Sequence, residues 1–374
     1  MNLVCSHCGA SESWPTSRWP CACGGPRELG DLPTFDPQAI DPRQPGLWRY
    51  RALLPRCDSP VTLGEGFTPL LAGGWPGADV RWKLEGLNPT GSFKDRYAAL
   101  VVSDIVAQGA REVVEDSSGN AGASLAAYAA RAGLRARIFV PAHASPVKQA
   151  QIAVYGAELV PVPGARSEAT RAAEAAAAQG AVYASHVWHP LAVVGAATIA
   201  WEIWEQLDGR APDWFVSPVG QGTLLLGAWR GFQGLYAAGL IGRLPRLVAA
   251  QAERCAPLAR ALAEGATEAE AVPPLSTIAE GIAIVRPVRS RALLRAIHES
   301  HGLVLVASEE QICAAQAQLA RRGLYVEPTS ATAAAVLPQI EPYLLPGETI
   351  VVALTGSGLK SPSLPNPPVG WFRR

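Results

Sequence analysis

Lys94 is the residue best placed for covalent chemistry. It follows the turn Leu87-Asn88-Pro89-Thr90-Gly91-Ser92 and Phe93, where the chain turns helical. The positive end of a helix dipole disfavours the ammonium form, so a partly buried lysine there is a candidate Schiff-base nucleophile. A solvated lysine at a helix start would read the same way. Two glycine loops give it context. Ser117-Ser118-Gly119-Asn120-Ala121-Gly122 follows a strand and opens a helix. Its free backbone N–H groups could hold an anion such as an amino-acid carboxylate, with Asn120 offering an amide nearby. Val219-Gly220-Gln221-Gly222-Thr223-Leu224 repeats the arrangement and suits a phosphate monoester. It is neither a P-loop nor a dinucleotide fingerprint, because no Gly-Lys-Ser/Thr follows and the third glycine is misplaced. Tight packing explains such glycines about as readily. Thr355 follows the apolar strand Ile350 to Leu354, at a strand end where open α/β sheets bind ligands. Lysine, carboxylate loop, phosphate loop and strand-end hydroxyl together describe a pyridoxal-phosphate site.

A second constellation lies at the start. Cys5-x2-Cys8 and Cys21-x-Cys23 crowd into a Trp-, Pro- and Gly-rich stretch with no periodic apolar pattern. Four thiolates suit a structural tetrahedral Zn2+ and would supply the core this stretch lacks. The second pair is one residue too close for a standard ribbon, and a redox pair or metal-free cysteines would fit the spacing too. His298 and His301, beside Glu299, read as a solvated helix end rather than a metal pair.

These groups need elements to position them. The spacing predicts strands at 112–114, 136–140, 158–162, 182–185, 214–217, 247–251 and 324–326. Helices are expected from Phe93 to Ala107 and at 122–132, 147–155, 168–178, 194–207 and 224–232, with Gly133 a helix stop. Glu327-Pro328-Thr329-Ser330-Ala331 opens one more helix and lines the cleft or merely caps that helix. Alternating βα units imply open parallel sheets with helices on both faces. Four regions follow. They are a zinc-ribbon-like knuckle (1–30), an extended proline-rich arm packed on the large domain (31–65), a smaller domain (66–200) and a larger one (201–374).

The 374 residues allow two or three domains. Lys+Arg and Asp+Glu balance at 32 each, so nothing draws the chain to nucleic acid; Arg18 is the only basic residue from Met1 to Pro26. With 49% hydrophobic and 17% charged residues the chain is not disordered. Its start does not read as a signal peptide, and no apolar run reaches the ~20 residues of a membrane span. An odd number of cysteines, seven, points to reduced thiols in a cytoplasm.

The motifs resemble those of fold-type II pyridoxal-phosphate enzymes, and within them the threonine synthase family. Asn88-Pro89-Thr90-Gly91-Ser92-Phe93-Lys94-Asp95-Arg96 matches that family's lysine motif, and Thr355-Gly356-x-Gly358-Leu359-Lys360 its C-terminal motif. Trp48-Arg49-Tyr50-Arg51 and Gly64-Glu65-Gly66-x-Thr68-Pro69-Leu70 are similar to its N-terminal arm. The resemblance runs from about residue 48 to 361. It implies that Lys94 carries the cofactor beside Phe93 and later moves protons. Asn120 would meet the cofactor's phenolic oxygen, Gly220, Gln221, Gly222 and Thr223 its phosphate, and Thr355 its pyridine nitrogen. A hydroxyl cannot keep that nitrogen protonated, which suits side-chain elimination better than transamination. Ser117, Ser118, Gly119 and Ala121 would receive the amino-acid substrate. The resemblance also implies a homodimer.

The chain departs from the family where the substrate's phosphate is gripped. The family's Asn-Ser-x-Asn-Pro-His-Arg is here His186-Val187-Trp188-His189-Pro190-Leu191-Ala192, and the threonine expected after Asn120 is Ala121. Ser117-Ser118-Gly119-Asn120 and Thr277-Ile278-Ala279-Glu280-Gly281-Ile282-Ala283 look instead like serine/threonine dehydratases, and Ser357 replaces a usual histidine. His186 and His189 would then serve a smaller or uncharged leaving group, or simply pack. The expected activity is α-proton abstraction and elimination, threonine synthase-type or dehydratase-type. The alternatives are a β-replacement synthase and, from another class, a non-catalytic zinc-ribbon metabolite sensor.

Overall fold

The structure is a computed structural model, described for residues 2–14, 19–30, 32–55, 57, 59–75, 78–142 and 146–361. Met1, Arg18 and the tail 362–374 of the expected last domain lie outside the described residues.

The N-terminal stretch forms a three-stranded antiparallel sheet of β1 (Asn2–Cys5), β2 (Ser11–Ser13) and β3 (Arg27–Leu29), with β1 central. Leu3 and Cys5 alternate inward along β1, the period of a half-buried strand. The expected extended arm is not extended. It coils into 3₁₀ turns at Pro37–Ala39 and Gly46–Leu53, which bury Leu47, Trp48, Tyr50 and Leu53. Proline fixes φ and lacks a donor, and both suit the first residue of a short helix as well as an extended run.

Beyond the arm come β4 (Leu70–Ala72), β5 (Asp79–Lys83), α1 (Asp95–Ala107), β6 (Glu112–Glu115) and α2 (Asn120–Ala132). They are followed by β7 (Arg135–Pro141), α3 (Pro146–Val154), β8 (Glu158–Val162), α4 (Arg166–Ala178) and β9 (Val182–Tyr183). The second half has α5 (Leu191–Gln206), β10 (Trp214–Pro218), α6 (Thr223–Ala237), β11 (Arg246–Ala252) and α7 (Pro257–Ala263). It ends with α8 (Ser290–Glu299), β12 (Leu303–Ala307), α9 (Glu309–Ala320), α10 (Pro328–Ala335), α11 (Leu337–Ile340) and β13 (Thr349–Ala353).

Two further sheets result. One is parallel, in the order β8-β7-β6-β9; the other runs β12-β11-β10-β13-β5-β4, parallel except for β4. The segment 66–83, expected with the smaller domain, therefore pairs in the larger sheet, because β5 hydrogen-bonds beside β13, some 270 residues later. A local apolar pattern marks a strand but not its neighbours. Residues 324–326 form no strand; Val326 makes only a single bridge to Ser357. Helix α5 packs on both α1 and α6, so one continuous apolar core runs between the sheets. Among the described residues, no helix is long and apolar enough to cross a membrane.

Candidate active site

Lys94 is the residue immediately before α1, and Lys94, Phe93, His186, Ala192 and Thr223 border one narrow enclosed gap. Its loop is tied to the C-terminal motif: Phe93 N–H donates to the Thr355 carbonyl (3.0 Å), and Ser92 bridges to Gly356. Burial pushes the Lys94 amine down to about 8, against the opposing charge of Glu115.

The phosphate loop meets a direct test. Gly222 caps α6 at φ +78°, and a Cβ there would lie 2.4 Å from Leu293 Cδ1. A Cβ on Gly220 would lie 2.9 Å from Ile284 Cγ1. A side chain at either position would have to push Leu293 or Ile284 aside, and Gly222 also holds a positive φ; α6 has no side-chain cap. First-turn N–H groups of a helix have no intrahelical partner. The buried Thr223 hydroxyl likewise has no hydrogen-bond partner among the described residues. Orphaned donors at a glycine loop, with Thr223 bordering the same narrow gap as Lys94, are the donor chemistry that a phosphate takes. Gln221 turns away, its carbonyl accepting from Val288 N–H (3.0 Å).

Asn120 opens α2, and its amide donates to Glu327 Oε1 (3.0 Å) just ahead of α10, joining the two sheets across the cleft. Thr355 Oγ1 lies 3.0 Å from Ser330 Oγ on α10, and Ser330 accepts from Gly356 N–H (2.7 Å). Ser117 is buried and its hydroxyl accepts from Gly119 N–H; the Ala121 carbonyl accepts from Tyr97. Ser118 stands half-buried between them. Gly119 and Asn120 also border an open cleft of about 540 Å3 with Gly91, Gln151 and Ser357.

The two candidate histidines separate. His186 reaches the gap beside Lys94. His189 does not: it is fully buried under the knuckle, 4.1 Å ring to ring from Trp19 and edge-on to Trp14. Burial, with Arg289 adding, holds it down to about 3, so it is a neutral packing residue and not a substrate group. Glu115 escaped the sequence reading although it lies buried at the end of β6 and bonds His186; a carboxylate closing an apolar strand was the available signal. His298 and His301 are exposed. The four cysteines converge, Cys5 and Cys23 sulfurs 3.5 Å apart and those of Cys8 and Cys21 3.7 Å apart.

Parallel sheets with flanking helices, a lysine at one helix start and a glycine loop at another are the architecture of an α/β enzyme of the fold-type II pyridoxal-phosphate class. The model of the family "Pyridoxal-phosphate dependent enzyme" matches residues 61–356. Threonine synthase of Mycobacterium bovis is 38% identical over 341 residues, 88% of this chain and 92% of that protein. Threonine synthase of Methanosarcina acetivorans is 34% identical over 374 residues, 96% and 92% respectively. Among solved structures, a T.th. threonine deaminase superposes with a TM-score of 0.67 at 26% identity, covering 78% of this chain and 92% of that one. The chain thus belongs to the threonine synthase family of pyridoxal-phosphate-dependent enzymes, and it is a lyase of threonine synthase or dehydratase type.

Proposed function

We propose that the chain eliminates a side-chain group from an α-amino acid, with Lys94 as both cofactor anchor and proton carrier. The observation that carries the reading is the unpartnered Thr223 hydroxyl at the glycine loop, bordering the same narrow gap as Lys94. Pyridoxal phosphate, when bound, supplies an electron sink that acidifies the substrate's Cα–H. Gly220, Gly222 and Thr223 hold its phosphate, while the Gln221 side chain, expected there too, is taken up by Val288 N–H; Asn120 and Thr355 meet the ring's polar atoms, and Phe93 flanks Lys94. The N-terminal end of α2, with Ser117, Ser118, Gly119 and Ala121, receives the substrate carboxylate. Displaced from the cofactor, Lys94 takes the Cα proton. An amine held to about 8 is neutral often enough near pH 7 to do so.

An NMR time course of the holoenzyme with O-phospho-L-homoserine, L-threonine and L-serine tests the reading. Keto acid and ammonia mark a dehydratase-type lyase, and inorganic phosphate with new threonine a threonine synthase. No turnover of any of the three counts against it.

The reading extends to the knuckle, where Cys5, Cys8, Cys21 and Cys23 hold a structural zinc. A tetrahedron with Zn–S of ~2.3 Å has sulfur–sulfur edges of about 3.8 Å, close to the 3.5 and 3.7 Å found. One zinc per chain by elemental analysis is expected. By resemblance we also take the protein to be a homodimer, and from its seven cysteines a cytoplasmic one; a monomer in sedimentation would refute the dimer.

A further inference from the structure

Glu327 has no part in the reaction proposed above, yet the Asn120 amide hangs on it. It immediately precedes α10, but its side chain does not cap that helix. The residue is 6% exposed and pinned beside the C-terminal motif, its backbone N–H donating to the Gly356 carbonyl (3.1 Å). Its carboxyl lies against Gly356, where a Cβ would come 2.2 Å from Oε1 and push it out.

Asn120 Nδ2 meets both carboxyl oxygens, at 3.0 and 3.3 Å, across 207 positions of chain. Among the described residues the amide has no other hydrogen-bond partner. A carboxylate only accepts, so the amide must present its nitrogen and turn its oxygen away. Lys94 shows which side that nitrogen faces. Burial lowers the lysine amine, and the charges of Glu115 and Glu327 work against burial, so the Glu327 carboxyl stands on the lysine's side of Asn120. The same turn serves a second ring contact. Ser330 N–H donates to the Glu327 carbonyl (2.9 Å), and Ser330 Oγ lies 3.0 Å from Thr355 Oγ1.

We infer that Glu327 is a positioning residue: by holding the Asn120 amide nitrogen-first, it supplies the N–H that the cofactor's phenolic oxygen receives. The inference rests on the Asn120 contact proposed above. An unheld asparagine amide offers its oxygen as readily as its nitrogen. An N–H stabilises an ionised phenolic oxygen, whereas a carbonyl oxygen repels it. Acting through its own charge alone, Glu327 would do the opposite and disfavour the ionised form. The two roles therefore differ in sign.

The bound cofactor absorbs in the visible when its phenolic oxygen is ionised and in the near ultraviolet when that oxygen carries a proton. Spectra of the holoenzyme and of its E327A, N120A and E327A/N120A variants at one pH test the inference. N120A should lower the visible-to-ultraviolet ratio about tenfold or more, the worth of a hydrogen bond to a charged group. E327A should lower it about twofold or more, since the amide is then free to take either orientation. The double variant should fall no further than N120A, because Glu327 acts through Asn120. A rise or no change in E327A, or a further fall in the double variant, overturns the inference while leaving the Asn120 contact standing. A ratio unmoved by N120A overturns both. NMR of the wild-type protein labelled in its asparagine side chains needs no variant to fold. One Asn120 amide proton should lie far downfield and exchange slowly; the shifts of an exposed asparagine would refute the bond to Glu327.

Discussion

Lys94 illustrates how a single residue's reactivity is set by its surroundings. Burial lowers its amine to about 8 from the ordinary lysine range, so in the cofactor-free protein the nucleophilic neutral form grows as pH rises through 8. The neutral fraction is roughly a tenth at pH 7 and nine-tenths at pH 9. Capture of pyridoxal phosphate by the cofactor-free protein, followed by absorbance, should accelerate about tenfold across that span and level off above it. A flat profile would remove Lys94 as the capturing group. Thr223 yields a different kind of prediction, because its hydroxyl is an orphan until an anion arrives. Thr223→Ala should weaken cofactor affinity by roughly ten- to 150-fold, the worth of one hydrogen bond to a charged group. The melting temperature of the cofactor-free protein should stay the same or rise slightly, since no bond is lost there.

At the scale of elements, the lysine loop is held by a buried ionic network. Arg96, in the first turn of α1, makes two-pronged bonds to Glu85 just after β5 and to Glu202 on α5, all at 2.6–2.7 Å. Lys83 Nζ joins Glu202 at 2.7 Å, and all four side chains are at most 1% exposed. Removing one partner leaves charges buried without compensation, at a cost of about 3–5 kcal/mol. Arg96→Met should lower the urea midpoint accordingly and loosen the cofactor, because the helix that carries Lys94 loses its anchor. Burial pushes Glu202 up, but Arg96 and Lys83 together outweigh it and hold the carboxyl at about 2. A folded-state value below the unfolded one stabilises at neutral pH, and that contribution disappears as pH falls from about 4.5 through 2. Acid unfolding should track this window in the native protein. None of this was legible beforehand: the sequence marked Arg96 only as a member of a motif, while Lys83, Glu85 and Glu202 lie on elements that meet only through tertiary packing.

For the whole molecule, the N-terminal knuckle bonds to both halves of the protein. Trp19 Nε1 donates to the Tyr183 carbonyl (2.7 Å) on the smaller sheet's side, while Glu28 pairs with Arg289 ahead of α8 on the other. Arg230 of α6 also donates to the Leu29 carbonyl (2.6 Å). A module of about thirty residues cannot bury a core of its own and depends on its staple. On the zinc reading proposed above, Cys8→Ser in the full-length holoenzyme should release the metal, red-shift tryptophan emission as Trp19 leaves its pocket, and lower the melting temperature. Unchanged emission with the metal gone would mean that the indole is held by the body of the protein and not by the cysteines.

The sequence by itself determined many of the βα elements and the loops proposed to face the cofactor, but not β4, β5, β12 or the knuckle strands. Glycine, proline and helix-cap chemistry act over a few residues, and the lysine, carboxylate and phosphate motifs are each local. Strand ends at β6, β10 and β13 and the helix starts at α1, α2 and α6 could therefore be read directly. Tertiary structure alone decided which strands pair across long separations, as β5 does beside β13. It also decided that His186 faces Lys94 while His189, three residues on, packs against tryptophans. It also brought Glu115 to within 3.0 Å of the His186 ring. Side-chain direction and long-range partnership depend on contacts between segments distant in the chain, and no local pattern encodes them.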